Sequence, residues 1–231
     1  MSPPKNIPAN RQQKILLVDD HPLMRRGQAD LLKREPDFII CGEVGTAREA
    51  MEAIAKLHPD LVLTDMALPD KHGLELIKDI LAQHPGLPVL AMSMQDESLY
   101  AARVLRAGGR GYVMKAEGPE RLAGAIRLVL SGQVALSPRM SARVLESMVG
   151  RAGETGSGPE ARLSDRELEV LRQFGEGWST EEIAGHLHLS PKTVDVHRAH
   201  IKEKLELKTT PEFQRFAIRW VAAQGGPGGW A

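Results

Sequence analysis

Asp19, Asp20, Asp65, Ser93 and Lys115 each follow closely on a short run of aliphatic residues. Three carboxylates brought together repel one another, and a divalent cation with oxygen ligands relieves that repulsion. Mg2+ suits such a set because it keeps several waters and takes one or two carboxylates. A carboxylate beside that ion can act as a nucleophile and form an acyl phosphate. The oxygens of a transferring phosphoryl group need compensating charge, which the cation, the Ser93 hydroxyl and the Lys115 ammonium can supply. Taken singly, a strand-end Asp reads equally as a helix cap or a solvated loop charge. Asp20-His21-Pro22 also reads as a cap followed by Pro in the first helical turn. It is the set of five that points to one pocket.

The elements that must position this set are legible. The aliphatic runs are Ile15–Val18, Phe38–Cys41, Leu61–Leu63, Val89–Met92 and Tyr112–Met114. Consecutive rather than alternating apolar residues suit strands buried on both faces of a parallel sheet. Between them lie helix-like stretches such as Ala47–Leu57 and Leu74–Gln83, the latter with a stripe of Leu74, Ile77, Ile80 and Leu81. Five β-α repeats over residues 14–131 predict an α/β domain with a flavodoxin-like, doubly wound, five-stranded parallel sheet. Open α/β sheets bind ligands at the C-terminal strand ends, at the topological switch point. A strand order of 2-1-3-4-5 makes strands 1 and 3 neighbours, so that Asp19, Asp20 and Asp65 converge.

The chain has 231 residues, enough for one large or two small domains, and 42% are hydrophobic, which excludes wholesale disorder. No apolar run approaches the roughly 20 residues that span a bilayer, and no secretory signal follows Met1, so no membrane partner is expected. Cys41 is the only cysteine, which excludes an internal disulfide and a cysteine-rich zinc site; it reads as an inert core residue. These features predict a soluble chain of the reducing cytoplasm. With 30 basic and 30 acidic residues, any DNA binding must come from a local surface. The expected organisation is a loose arm over residues 1–13, the α/β domain over 14–131, and a helix-containing, Gly-rich linker over 132–161. A helical domain over 162–223 and a fraying tail over 224–231 complete it.

The helical segment carries clear start signals. Ser164 with Glu167 and Ser179 with Glu182 are capping boxes, and Ser190 precedes Pro191 as an N-cap should. Two helices joined by a short turn are the signature of a helix-turn-helix. In the third helix, Val194, Ile201 and Leu205 share the core face. Val196 lies on the opposite side with Lys192, Ala199 and His200 near it. A small apolar side chain flanked by Lys suits a DNA major groove, though Val196 also reads as an ordinary exposed valine. Arg198 and Lys202 add positive charge, but acidic neighbours leave a small excess, so binding is expected to need two copies. Thr210-Pro211 opens a fourth helix with Phe213, Phe216, Ala217 and Trp220 on one stripe, which divides between core and interface.

Two resemblances follow from these motifs. Residues 14–131, through KILLVDDHPLMRRG, PDLVLTDMALPDKHG and AGGRGYVMK, resemble the receiver domain of bacterial two-component response regulators of the NarL/FixJ type. Residues 163–223, through LSDRELEVLRQFGEGWSTEEIAGHLHLSPKTVDVHRAHIKEKLEL, are similar to the LuxR-type DNA-binding domain. The first resemblance implies that Asp65 accepts a phosphoryl group from a sensor histidine kinase. It implies that Asp19, Asp20, Asp65 and the backbone carbonyl of Ala67 hold Mg2+, and that Ser93 and Tyr112 are switch positions, although an aromatic at a strand start also reads as packing. Lys115 corresponds to the family's lysine; Ala116 replaces the Pro that often follows, making a cis bond there less expected. The second implies that the recognition helix is Pro191–Leu205, with Lys192, Thr193, Asp195, Val196 and Ala199 as groove contacts. It further implies that the fourth helix pairs two DNA-binding domains. Glu206 stands where glycine is usual after this helix; a left-handed backbone there costs of order 1 kcal/mol.

Together these features predict a cytoplasmic bacterial transcription factor, homodimeric when phosphorylated, that binds promoter DNA at two half-sites and can meet RNA polymerase. It is expected not to be an enzyme beyond self-phosphorylation from phosphodonors and self-dephosphorylation at Asp65. The alternatives are a phosphatase or phosphotransferase using Asp65, a non-phosphorylated protein- or ligand-binding module, and an acyl-homoserine-lactone receptor. The first is disfavoured by Ala67 at the position of a second catalytic Asp, and the others by the complete polar set.

Overall fold

The computed structural model describes residues 11–94, 97–148 and 159–223, which fall into two compact units, one reaching Met148 and one starting at Pro159. Most of the expected N-terminal arm, the Gly-rich part of the linker and the tail lie outside the described residues.

The first unit is a five-stranded parallel sheet in the order β2-β1-β3-β4-β5. Its elements are β1 (Gln13–Val18), α1 (Pro22–Leu32), β2 (Phe38–Val44), α2 (Ala47–Leu57), β3 (Leu61–Asp65), α3 (Gly73–Gln83), β4 (Val89–Ser93), α4 (Glu97–Arg106), β5 (Gly111–Met114), α5 (Pro119–Leu130) and α6 (Pro138–Met148). Consecutive apolar residues make the central strands because helices cover both faces: Ile15, Leu16 and Leu17 are fully buried, as are Leu61 and Val62. The register aligns the strand ends, pairing Val18 with Thr64, Asp65 with Met92, and Ser93 with Met114.

Three expectations are corrected at the edges of this unit. β2 is an edge strand with Ile39 exposed, and Cys41 is half-buried rather than enclosed. Burial still pushes the Cys41 thiol up from its ordinary value, so it stays protonated and inert. At the opposite edge, the residues just beyond 131 belong to the first unit. The Ala135 carbonyl accepts from Tyr112 N at 2.9 Å, and Ala135 N donates to the Arg110 carbonyl at 3.0 Å. Gly111 permits this approach, since a Cβ there would lie 2.4 Å from the Ala135 oxygen. The β5 edge is thereby covered instead of exposed to another chain. Ala135, Leu136 and Met140 are buried, so the expected boundary at 131 falls inside this unit. β1 likewise takes in Gln13, the last residue of the expected arm.

The second unit begins with a 3-10 turn (Pro159–Arg162) and continues as α7 (Asp165–Gly175), α8 (Thr180–His186), α9 (Pro191–Lys204) and α10 (Thr210–Ala223). Both capping boxes are formed in full, and the Ser190 side chain accepts from Thr193 N at 3.1 Å. Val194 and Ile201 turn inward from α9. Phe174 meets Phe213 edge-on at 5.2 Å between ring centroids, which joins α7 to α10.

No helix among the described residues is long and apolar enough to cross a membrane.

Candidate functional site

The strand order and register gather the acidic residues at one end of the sheet. Asp19 follows β1, Asp65 ends β3, and Lys115 follows β5. The Lys115 ammonium sits 2.7 Å from Asp19 Oδ2 and 2.6 Å from Asp65 Oδ2, with all three side chains almost fully enclosed. Asp19, Asp20, His21 and Asp65 each offer a donor atom, and these four atoms lie within 4.8 Å of one another.

Several contacts fix this arrangement. Asp65 Oδ1 accepts from Met66 N at 2.7 Å. Asp19 Oδ1 accepts from His21 N at 2.8 Å, its Oδ2 faces Gln28 Nε2 at 3.4 Å, and its carbonyl accepts from Arg25. The loop leaving β3 doubles back tightly: Gly73 N donates to the Met66 carbonyl at 2.8 Å. A Cβ at Gly73 would lie 2.5 Å from the Asp65 carbonyl oxygen, so only glycine lets α3 start there. His72 caps α3 through Nδ1, which accepts from Leu74 N.

Three carboxylates and one ammonium leave a formal charge of −2 in a largely dry pocket. Burial pushes the Asp65 carboxyl up to about 6, against the opposing pull of Lys115. Burial also disfavours the Lys115 ammonium, but Asp65 and Asp19 outweigh it and hold its pKa above the ordinary value. An excess of two negative charges on clustered oxygen donors fits a hard divalent cation.

Ser93 is buried at the end of β4, and Tyr112 is fully buried on β5. Ala67 lies two residues beyond Asp65 and bridges to His72. No cis peptide occurs among the described residues, Lys115-Ala116 included. Sequence reasoning missed His21, Arg25, Gln28 and Gly73. His21 carried a signal, being a donor residue beside Asp20. Arg25 and Gln28 carried none, because only the docking of α1 brings them to Asp19.

On α9, Lys192, Asp195, Val196, Ala199 and His200 are exposed, Val196 at 45%. Thr193 is half-buried with Oγ1 2.7 Å from Ser190 Oγ. Lys202 is half-buried. Arg198, expected to face DNA, instead pairs with Asp195 at 2.8 Å and lies 5.5 Å over the Phe174 ring. Of the expected dimer residues, Phe213 and Ala217 are fully enclosed and Trp220 nearly so. That corrects the interface reading for these three, because α10 turns them onto α7 as core. Phe216 is half-buried, and Ile218 is the exposed large apolar residue of α10.

Comparison with known proteins agrees with both units. Residues 15–127 match the response regulator receiver domain, and residues 161–217 match the bacterial regulatory proteins of the luxR family. Oxygen regulatory protein NreC of Staphylococcus carnosus is 32% identical over 210 residues, covering 89% of this chain and 97% of that protein. Response regulator GacA of Pseudomonas syringae is 32% identical over 206 residues, covering 89% of this chain and 95% of that protein. RcsB from Salmonella enterica serovar Typhimurium, bound to promoter rprA in the presence of the phosphomimetic BeF3-, aligns with a TM-score of 0.60 and 26% identity. That alignment covers 90% of this chain and 99% of RcsB. With an acidic, lysine-bridged pocket at the strand ends of one unit and a helix-turn-helix in the other, the chain belongs to the NarL/FixJ-type response regulators, a receiver domain joined to a LuxR-type DNA-binding domain.

Proposed function

We propose that Asp65 accepts a phosphoryl group from the phosphohistidine of a sensor histidine kinase, and that this modification switches sequence-specific DNA binding by the second unit. The observation that supports this best is the Lys115 ammonium held between Asp19 and Asp65 within an enclosed pocket. An Asp65 carboxylate oxygen attacks phosphorus as the phosphorus–nitrogen bond of the donor breaks, and the imidazole departs. Lys115 is already within reach of Asp65 and compensates charge on a phosphoryl oxygen without reorganisation. The Ser93 hydroxyl can move toward a second oxygen. Asp19, Asp20, Asp65 and the Ala67 carbonyl would hold Mg2+, which supplies further positive charge to the transferring group. Catalysis by the chain itself is limited to self-phosphorylation from small phosphodonors and hydrolysis of its own acyl phosphate.

Phosphorylation adds negative charge and acceptor oxygens, which draw Ser93 toward the group that Lys115 already faces and bias the receiver toward a second arrangement, with Tyr112 following. The DNA-reading surface is the exposed face of α9, where Lys192, Thr193, His200 and Lys202 meet phosphates and Val196 and Ala199 meet base edges. A homodimer reading two promoter half-sites, with RNA polymerase as a further partner, completes the proposal. RcsB, in dimers bound to DNA, is the precedent among its relatives.

The test is labelling of the full chain by acetyl phosphate with Mg2+. Wild type becomes labelled and Asp65→Asn does not; undiminished labelling of the variant rules out Asp65 as the acceptor.

A further inference from the structure

The site contains a donor that oxygen chemistry does not require. His21 Nδ1 lies 2.6 Å from Asp20 Oδ1 and 3.6 Å from Asp19 Oδ1, inside the group of four donor atoms. Its placement is constrained from both sides along the chain. Pro22 restricts His21 to extended backbone, observed at φ −87° and ψ 103°. The His21 N–H donates to Asp19 Oδ1, which pins the residue against the pocket. The imidazole makes no capping hydrogen bond to α1, although His21 stands at its N-cap. His72, at the N-cap of α3, does use Nδ1 in that way. The ring of His21 is therefore not engaged by α1: its Nδ1 pairs with the Asp20 carboxylate, and 57% of its side chain remains open to solvent.

We propose that His21 is a nitrogen ligand of this metal site and makes it selective for late first-row divalent cations such as Co2+, Ni2+ and Zn2+ over Mg2+. The inference rests on the metal-assisted reading of the pocket given above. Ligands held side by side around a six-coordinate ion at about 2.1 Å stand about 3 Å apart. The Asp20–His21 pair needs to open by only a few tenths of an ångström to admit an ion, which the half-exposed ring permits. Mg2+ gains little from an imidazole, since it favours oxygen and dehydrates reluctantly. Later transition ions gain more, both from the nitrogen donor and from the Irving–Williams order. The phosphoacceptor pocket thus binds whichever ion the surroundings offer with a bias set by one ring, and phosphoryl acceptance responds to that choice.

Calorimetric titration of the full, metal-free chain with Co2+ and with Mg2+ at one fixed pH tests this. The Co2+ heat lost in Asp65→Asn defines the pocket's share against other surface histidines. In wild type the pocket binds Co2+ more tightly than Mg2+. His21→Ala weakens Co2+ by about tenfold or more and leaves Mg2+ within about twofold. His21→Asn, which can cap α1, gives the same selective loss with the helix start secured. Equal weakening of both ions, or an unchanged Co2+ affinity, overturns the proposal and leaves the phosphoacceptor reading standing. If wild type binds neither ion, both readings fall together.

Discussion

Asp65 and Lys115, which end β3 and follow β5, meet at 2.6 Å with 4% and 3% of their side chains exposed. A buried pair of this kind is costly to break from one side, because the remaining charge loses its partner in a dry site. Lys115→Met leaves the carboxylates of Asp19 and Asp65 uncompensated and destabilises the receiver by about 3 kcal/mol. Added Mg2+ restores more stability to this variant than to wild type, since the ion replaces the missing charge. Calorimetry with and without MgCl2 measures both effects; equal metal stabilisation of the two proteins refutes the account.

Gly73→Ala tests the tight turn behind the acceptor. Its Cβ would lie 2.7 Å from Met66 Cα as well as against the Asp65 carbonyl, and backbone cannot yield as a flexible side chain does. The variant loses about 1–3 kcal/mol of receiver stability, and its acetyl phosphate labelling slows as Asp65 shifts. Retention of both wild-type stability and labelling rate contradicts the packing.

Glu206 has φ 56°, the left-handed conformation expected where the family has glycine. Its neighbours close the end of α9, with Leu207 N donating to the Lys202 carbonyl at 2.8 Å. The carboxylate is 83% exposed and reaches Arg162 at only 3.5 Å, a surface pair of little value. Glu206→Gly therefore stabilises the DNA-binding unit by about 0.5–1 kcal/mol, read from a thermal melt followed by tryptophan fluorescence.

Glu167 links its capping box to Lys204, whose ammonium lies 2.6 Å from Oε2. Burial raises the Glu167 pKa, but the hydrogen bonds from Lys204 and Ser164 outweigh it and bring the value below the ordinary 4.5. A lowered carboxylate pKa adds stability above about pH 4.5 that disappears as pH falls through the lowered value. Gln keeps the capping-box acceptor but loses the charge that faces Lys204, and with Lys204 partly exposed that pair is modest, so Glu167→Gln costs about 0.5–1 kcal/mol at neutral pH. The difference from wild type shrinks as acid is added; a difference that grows in acid reverses the assignment.

Two basic residues of α9 should separate DNA contact from domain stability. Lys192→Ala weakens DNA binding across sequences and reduces the slope of affinity against salt by about 1 per subunit, hence about 2 for the homodimer. Arg198→Ala loses the Asp195 pair and the Phe174 contact and lowers the melting point of the second unit, an effect of about 0.5–1 kcal/mol. Filter binding at several salt concentrations and thermal melts of both variants decide the matter.

Runs such as Ile15–Val18 and capping residues such as Ser164 and Ser190 determined by themselves which segments became strands and helices, because these signals act within a few residues along the chain. They also set Asp19, Asp65, Ser93 and Lys115 at strand ends, where the sheet order had only to assemble them. Tertiary packing decided what local periodicity leaves open. Phe213 and Phe216 share a stripe on α10, yet only contact with α7 sends Phe213 into the core and leaves Phe216 half-buried. Arg198 and Lys192 carry the same charge on one helix, but the Phe174 ring lies within reach of only the first. The cover on β5 by Ala135, and the meeting of Lys115 with Asp19, likewise depend on surfaces supplied by distant segments. Burial and charge pairing belong to partners, and partners are chosen by the fold.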